Sequence, residues 1–168
     1  MGKKIAILMG SKSDMPLLLS AFDTLKDFGV EFEARILSAH RTPEEAASFA
    51  KGAEKKGIKV FICAAGMAAH LAGVIASFTT IPVIGIPIAS EPFNGIDSLL
   101  SMVQMPPGIP VAVVSAGKAG AQNAALMAIS ILALSDQDLS IKLKNYREKQ
   151  KNKVLSADKE LSIELESK

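Results

Sequence analysis

Residues Val60–Ile88 read VFICAAGMAAHLAGVIASFTTIPVIGIPI, most of a stretch from Val60 to Ser90 without a single charged side chain. An apolar run of about 20 residues is long enough to cross a bilayer. Here, however, Gly66, His70, Gly73, Thr79, Thr80, Pro82, Gly85 and Pro87 cut the run into pieces shorter than a span. The pieces have the form of a strand (IKVFICAA, from Ile58), a loop opening a helix of small residues (GMAAHLAGVIASF, from Gly66) and a second strand (IPVIGIPI, from Ile81). No membrane span is expected. A strand, a crossover helix and another strand, all apolar, make a unit of a parallel sheet covered on both faces.

The same alternation extends in both directions. On the amino-terminal side, KKIAILMG is a short buried strand, and SKSDMP begins a helix in which Ser13 or Asp14 caps and Pro16 occupies the first turn. Leu18, Ala21, Phe22, Leu25 and Phe28 recur at helical spacing up to the stop at Gly29. VEFEARIL alternates from Val30 to Ile36 as a strand with one wetter face. Thr42, Pro43 and Glu45 then have the spacing of a capping box, opening a helix that runs to about Gly57. On the carboxyl-terminal side follow a helix (GIDSLLSMVQ), a turn (MPPGIP), a fifth strand (VAVVSAG) and an alanine-rich helix (AGAQNAALMAISILAL). Five strands alternating with helices predict an α/β fold with right-handed crossovers and a parallel sheet between helical layers.

The chain of 168 residues is read as one domain, residues 1–168, with a charged helical tail from about Asp136. The apolar side of that tail comprises Leu139, Leu143, Tyr146 and Leu155, and its last dozen residues are expected to fray. Charge is distributed unevenly. From Val60 to Ser135 only Glu91, Asp97 and Lys118 are charged, whereas Asp136 to Lys168 holds 15 charges in 33 positions. So much uncharged surface on a short chain predicts a homo-oligomer. A net charge of +2 with interspersed signs lacks the footprint of a nucleic-acid binder and points to a small-molecule partner. One cysteine and no secretory leader pattern lead to the expectation of a cytoplasmic protein.

Ligands of such sheets bind beyond the carboxyl ends of the strands, at the point where strand order reverses. Three polar or glycine-bearing loops qualify: GSKSD after strand one, SAHRT after strand two and AAGMAAH after strand three. The first offers backbone N–H groups and the hydroxyls of Ser11 and Ser13 at a helix start, which suits a phosphate, while Asp14 can accept from sugar hydroxyls. Taken alone, that loop is better accounted for by helix capping. Arg41, from the second loop, adds a fork of donors suited to phosphate. An imidazole can give and regain a proton within one turnover, so His40 is a candidate acid and base, or it can bond a loop carbonyl. His70 has the setting of a packing or capping histidine, and Cys63 that of a core residue. In sequence the two histidines stand apart, and no residue set is spaced as metal ligands, so no metal site is expected. Neither G-x-G-x-x-G nor G-x-x-x-x-G-K-[ST] occurs. AGKAGAQNAA, around Lys118, is read as a close approach of backbone to a neighbour. With no Trp and one Tyr, a flavin carrier is disfavoured.

Taken together, MGSKSD, SAHRTP, AAHLAG, GIDSLLSMVQMPPGIPV and AGKAGAQNAALMA resemble the class I N5-carboxyaminoimidazole ribonucleotide mutases of purine biosynthesis, also called the catalytic subunit of phosphoribosylaminoimidazole carboxylase, from about Lys4 to Tyr146. The resemblance implies a three-layer α/β/α, flavodoxin-like fold, an octamer with sites at subunit interfaces, no cofactor, and transfer of a carboxylate from the exocyclic nitrogen to C4 of the imidazole. It implies that Ser11, Asp14 and Arg41 hold phosphate and ribose, that Ser13, Ser38 and Ala39 line the site, and that His40 is general acid and base. The loop Ala65, Gly66, Met67, Ala68, His70 and Leu71 completes the pocket, and Ala65, Gly66, Ala68 and Ala69 wall a chamber for CO2. An ATP-dependent synthetase is the implied supplier of the labile substrate. The family commonly reads G-G-A-A-H-L-P-G through the third loop, where this chain has Met67 for the second glycine and Ala72 for the proline; IASEPFNGID is also atypical before Gly95. Class II members, which carboxylate aminoimidazole ribonucleotide directly with CO2, commonly have Lys at the position of Arg41. The rival outside the family is a non-enzymatic flavodoxin-like module for a phospholigand or flavin.

Overall fold

The computed structural model describes residues 2–166, which fall into two compact units that divide after Ile131. The first is built on five strands, β1 (Ile5–Met9), β2 (Phe32–Ile36), β3 (Val60–Gly66), β4 (Val83–Ile88) and β5 (Ala112–Val113). All pair in parallel, in the order β2-β1-β3-β4-β5. This is the strand order of flavodoxin, and the direction of winding reverses between β1 and β3. The connecting helices are α1 (Met15–Asp27), α2 (Pro43–Gly52), α3 (Leu71–Ser77), α4 (Ile96–Val103) and α5 (Gly117–Leu132).

The central strands explain their own apolar sequences. β1, β3 and β4 lie inside the sheet, and every residue of β1 and all of β3 but Gly66 is buried. One sheet face presents Ala6, Leu8, Phe61, Cys63 and Val83 to a core shared with Ala46, Phe49 and Ala50 of α2, Leu71, Ala72 and Ile75 of α3 and Met102 of α4. On the opposite side α1 and α5 lie together, joined by a hydrogen bond of 3.0 Å from the Ser20 hydroxyl to the Lys118 carbonyl. Their buried faces carry Leu18, Ala21 and Leu25 on α1 and Ala121, Ala124, Ala125, Ala128 and Ile129 on α5. Full burial of a Leu, Ile or Phe side chain contributes about 1.5–3 kcal/mol, so these two cores account for the three-layer arrangement.

Several local expectations shift. β2 is an edge strand, which is why its side chains are half-buried or exposed. β5, expected over seven residues, keeps only two in the ladder, Ala112 and Val113, which pair with Ile84 and Gly85 of β4 at the other edge. The second helix ends at Gly52 and a 3-10 turn at Glu54–Lys56 carries the chain to Gly57, whose φ of 81° makes the left-handed stop. The second unit holds α6 (Gln137–Glu166), started by Asp136, whose carboxylate accepts from the Leu139 N–H at 3.2 Å. It runs to Glu166, and the last two residues of the tail expected to fray, 167 and 168, lie outside the described residues. No helix among the described residues is long and apolar enough to cross a membrane.

Candidate active site

The loops that follow β1, β2, β3 and β4 meet in a crevice of about 650 Å³ at the carboxyl ends of the strands. All thirteen side chains or backbones singled out in the sequence line it: Ser11, Ser13, Asp14, Ser38, Ala39, His40, Arg41, Ala65, Gly66, Met67, Ala68, His70 and Leu71. Gly10, Ile88 and Ser90 line it as well and were not anticipated. Ala69, expected in the CO2 chamber, is instead buried in the core behind the loop. A larger hollow of about 830 Å³ opens among the helix ends and strand starts at the other end of the sheet, with Lys51 and Glu54 as its only ionisable residues.

The first loop is organised by a capping box. Ser11 caps a 3-10 turn at Lys12–Asp14, its hydroxyl accepting from the Ser13 N–H at 3.3 Å while the Asp14 carboxylate accepts from the Ser11 N–H at 3.0 Å. Neither Ser13 nor Asp14 caps α1 through its side chain. The Ser13 hydroxyl donates to the Ser11 oxygen at 2.8 Å, so two hydroxyls and a carboxylate sit together at the crevice wall.

In the second loop the capping box read at Thr42 and Glu45 does not form. The Thr42 hydroxyl turns back to Ser38, donating to its carbonyl at 3.1 Å and accepting from its N–H at 2.9 Å, and the Thr42 N–H also reaches the Ser38 carbonyl at 2.9 Å. A hydroxyl can serve a turn or a helix start, and here the turn wins. Within this closed turn stand Ala39, His40 and Arg41. The Arg41 guanidinium crosses to the end of β1, donating to the Gly10 carbonyl at 3.1 Å, and its backbone N–H donates to the Ser38 hydroxyl at 3.2 Å.

His40 and His70, apart in sequence, are partners in space. Nε2 of His40 lies 2.9 Å from Nδ1 of His70, and the rings meet edge to face with centroids 5.0 Å apart. His70 therefore neither packs inside nor caps α3, for which it makes no side-chain bond. Both rings are exposed to the crevice. Met67, in the third loop, has a φ of 56°, a left-handed conformation unusual for any residue but glycine, and its side chain is 62% exposed at the crevice wall. Gly66 lies tight against β4: a Cβ there would stand 3.2 Å from the Ile88 carbonyl oxygen, so the neighbouring strand would have to give by a few tenths of an ångström. Cys63 lies wholly buried below the loop, and burial pushes its thiol far above the ordinary range, so it takes no part. No group of His, Cys, Asp and Glu among the described residues is arranged to hold a metal ion.

Fold and crevice together define a doubly wound α/β protein whose polar loops gather at the switch point of the sheet. Within that class the chain belongs to the AIR carboxylase family, whose sequence model matches residues 4–153. It is 54% identical over 153 residues to the N5-carboxyaminoimidazole ribonucleotide mutase of Saccharolobus solfataricus, covering 91% of this chain and 96% of that one. It is 50% identical over 157 residues to the mutase of Bacillus subtilis, covering 94% and 97%. Among solved structures it is similar to Treponema denticola PurE, with a TM-score of 0.85 at 35% identity over 94% of this chain and 97% of that one.

Proposed function

We propose that this chain is an N5-carboxyaminoimidazole ribonucleotide mutase, moving the carboxylate from the exocyclic nitrogen to C4 of the imidazole ring. The observation that carries the reading is the pair His40 and Arg41: neighbours on one closed turn, they reach different partners, His70 in the third loop and Gly10 in the first. The identity to relatives bearing that name, over nine-tenths of the chain, supports the same reaction.

In this reading Arg41, Ser11 and Ser13 take the phosphate and Asp14 accepts from the ribose. With Ser38 and Ala39 along its side, the ribonucleotide lies with its ring beside His40. A carbamate releases CO2 once its nitrogen is protonated, so His40 in its acid form delivers the proton and the aminoimidazole leaves as a neutral enamine. Ala65, Gly66 and Ala68 leave a small apolar space in which CO2 is held near C4, raising its effective concentration. C4 attacks the CO2 carbon, and the now neutral His40 removes the C4 proton as the ring regains aromaticity. The proton lent to nitrogen is thus recovered from carbon, and no cofactor is required by the balance of the reaction. Met67, His70 and Leu71 close the carboxylate end, with His70 sharing a hydrogen with His40.

The reading extends to a cytoplasmic homo-octamer served by an ATP-dependent synthetase that makes the labile carbamate. Its test is the ultraviolet absorbance change when the protein is given fresh N5-carboxyaminoimidazole ribonucleotide, run beside aminoimidazole ribonucleotide with bicarbonate. Rapid conversion of the first alone is the expected result. Preference for the second pair makes the chain a direct carboxylase. Silence with both, or a yellow protein that holds flavin mononucleotide, returns it to a binding module.

A further inference from the structure

Every polar side chain that lines the crevice has a hydrogen-bond partner except one. Ser11, Ser13 and Asp14 bond one another, Ser38 meets Arg41, Arg41 meets Gly10, and the histidines meet each other. The exception is Ser90, whose hydroxyl oxygen is buried and has no partner among the described residues. Burying a hydroxyl without a partner is unfavourable, and the cost is recovered when a ligand supplies one.

The place of Ser90 says what that ligand group is. Ile88 ends β4 opposite Gly66 in the β3 register, and the two backbones touch there. Ser90 lies two residues further on, so it borders the small-residue end of the crevice formed by Ala65, Gly66 and Ala68. The phosphate-side group Arg41 is anchored at the end of β1, two strands away. Two inter-strand spacings amount to roughly 10 Å, a gap that a ribose and a five-membered ring can bridge. A phosphate held by Arg41 thus leaves the far end of the nucleotide, where the carboxylate sits, facing Ser90.

We propose that the Ser90 hydroxyl donates a hydrogen bond to the migrating carboxylate, making the loop after β4 a carboxylate-binding part of the site. This rests on the mutase reading. A donor fixed at that end holds the group when it is bound to carbon, and orients it for attack while it is CO2.

The test compares wild type and Ser90→Ala by calorimetric titration with two ribonucleotides, the C4-carboxylated product and the aminoimidazole ribonucleotide that lacks the carboxylate, together with melting curves of the free proteins. The expected result is a loss of about tenfold in affinity for the carboxylated ligand, unchanged affinity for the other, and a free variant at least as heat-stable as wild type, since the lost hydroxyl had no partner to lose. Equal losses for both ligands, no loss for either, or a lower melting temperature overturns the proposal. Wild type that converts the mutase substrate while Ser90→Ala keeps full preference for the carboxylated ligand refutes the role of Ser90 alone. Wild type that binds neither ribonucleotide removes the mutase reading and the Ser90 role with it.

Discussion

His40 Nε2 and His70 Nδ1 stand 2.9 Å apart with their ring planes at 81°. The bond ties the loop after β2 to the loop after β3 across the end of β1, which lies between those strands. One hydrogen serves both nitrogens, so whichever ring carries it donates to the other. Under the mutase reading, replacing His40 by Asn removes the ring that transfers protons and leaves Arg41 and the serines in place. Turnover in His40→Asn is expected to fall by about 10²–10⁴, with ribonucleotide affinity nearly intact. Single-turnover kinetics beside calorimetry checks both halves, and activity above roughly a few per cent of wild type contradicts the role.

Met67 holds a φ of 56° in an exposed loop. A left-handed conformation costs a residue with a side chain about 1–2 kcal/mol, against about 0.5–1 kcal/mol of extra chain entropy lost by glycine on folding. Met67→Gly is therefore expected to gain up to about 1 kcal/mol, a rise in melting temperature of about 2–4 °C for a domain of this size. Scanning fluorimetry measures it; an unchanged or lower melting point would show that the methionine side chain makes good its strain through contacts of its own.

Gly120 sits in the first turn of α5, where an added Cβ would overlap the Ser115 carbonyl oxygen. Backbone cannot move aside as a flexible side chain does. Gly120→Ala is expected to cost about 1–3 kcal/mol, seen as a lower denaturant midpoint at unchanged slope. A neutral substitution would mean that the Ser115 turn can shift.

Cys63 is the one cysteine of the chain, fully buried in β3 with its thiol held in the neutral form. The reactive species is the thiolate. Native protein is expected to resist a thiol reagent such as dithionitrobenzoate at pH 8 and to release one equivalent per chain in guanidinium. Fast labelling of the native state would reveal an opening of the sheet that the packing does not suggest.

The outer side of α4 exposes Ile96, Leu99, Leu100 and Val103, each at 43% or more. A run of exposed apolar side chains on one short helix is unusual for a monomer. Light scattering is expected to find a large assembly, and Leu100→Asp to shift it toward smaller species. A clean wild-type monomer refutes the octamer.

The order of strands and helices could be read because apolar runs and glycine or proline punctuation alternate from Lys3 onward, and the first three loops could be placed because each carries polar residues just after a strand. What escaped depended on long-range geometry or on competition. The pairing of His40 with His70 joins residues 30 apart and exists only because β1 lies between β2 and β3. Thr42 has the residue type and spacing of a helix cap, yet its hydroxyl is drawn to Ser38, and spacing cannot rank two partners for one group. Ser90 was missed because its loop carries no glycine or basic residue beside it, although it stands where the other three loops do. Ala69 fell on the wrong side because an irregular loop gives no period from which to tell inward from outward.

The Ser38–Thr42 turn is closed at its base by three bonds of 2.9 to 3.1 Å, so His40 and Arg41 ride on the same small rigid piece of chain. Under the mutase reading the distance from proton donor to phosphate grip is then set before any ligand arrives, and the turn works as a ruler. A ribonucleotide of the right length satisfies both ends at once. A longer or shorter one can seat its phosphate only by pulling its ring off the histidine, so such analogues should bind and remain unreacted, and the enzyme sorts its substrates by length at the chemical step.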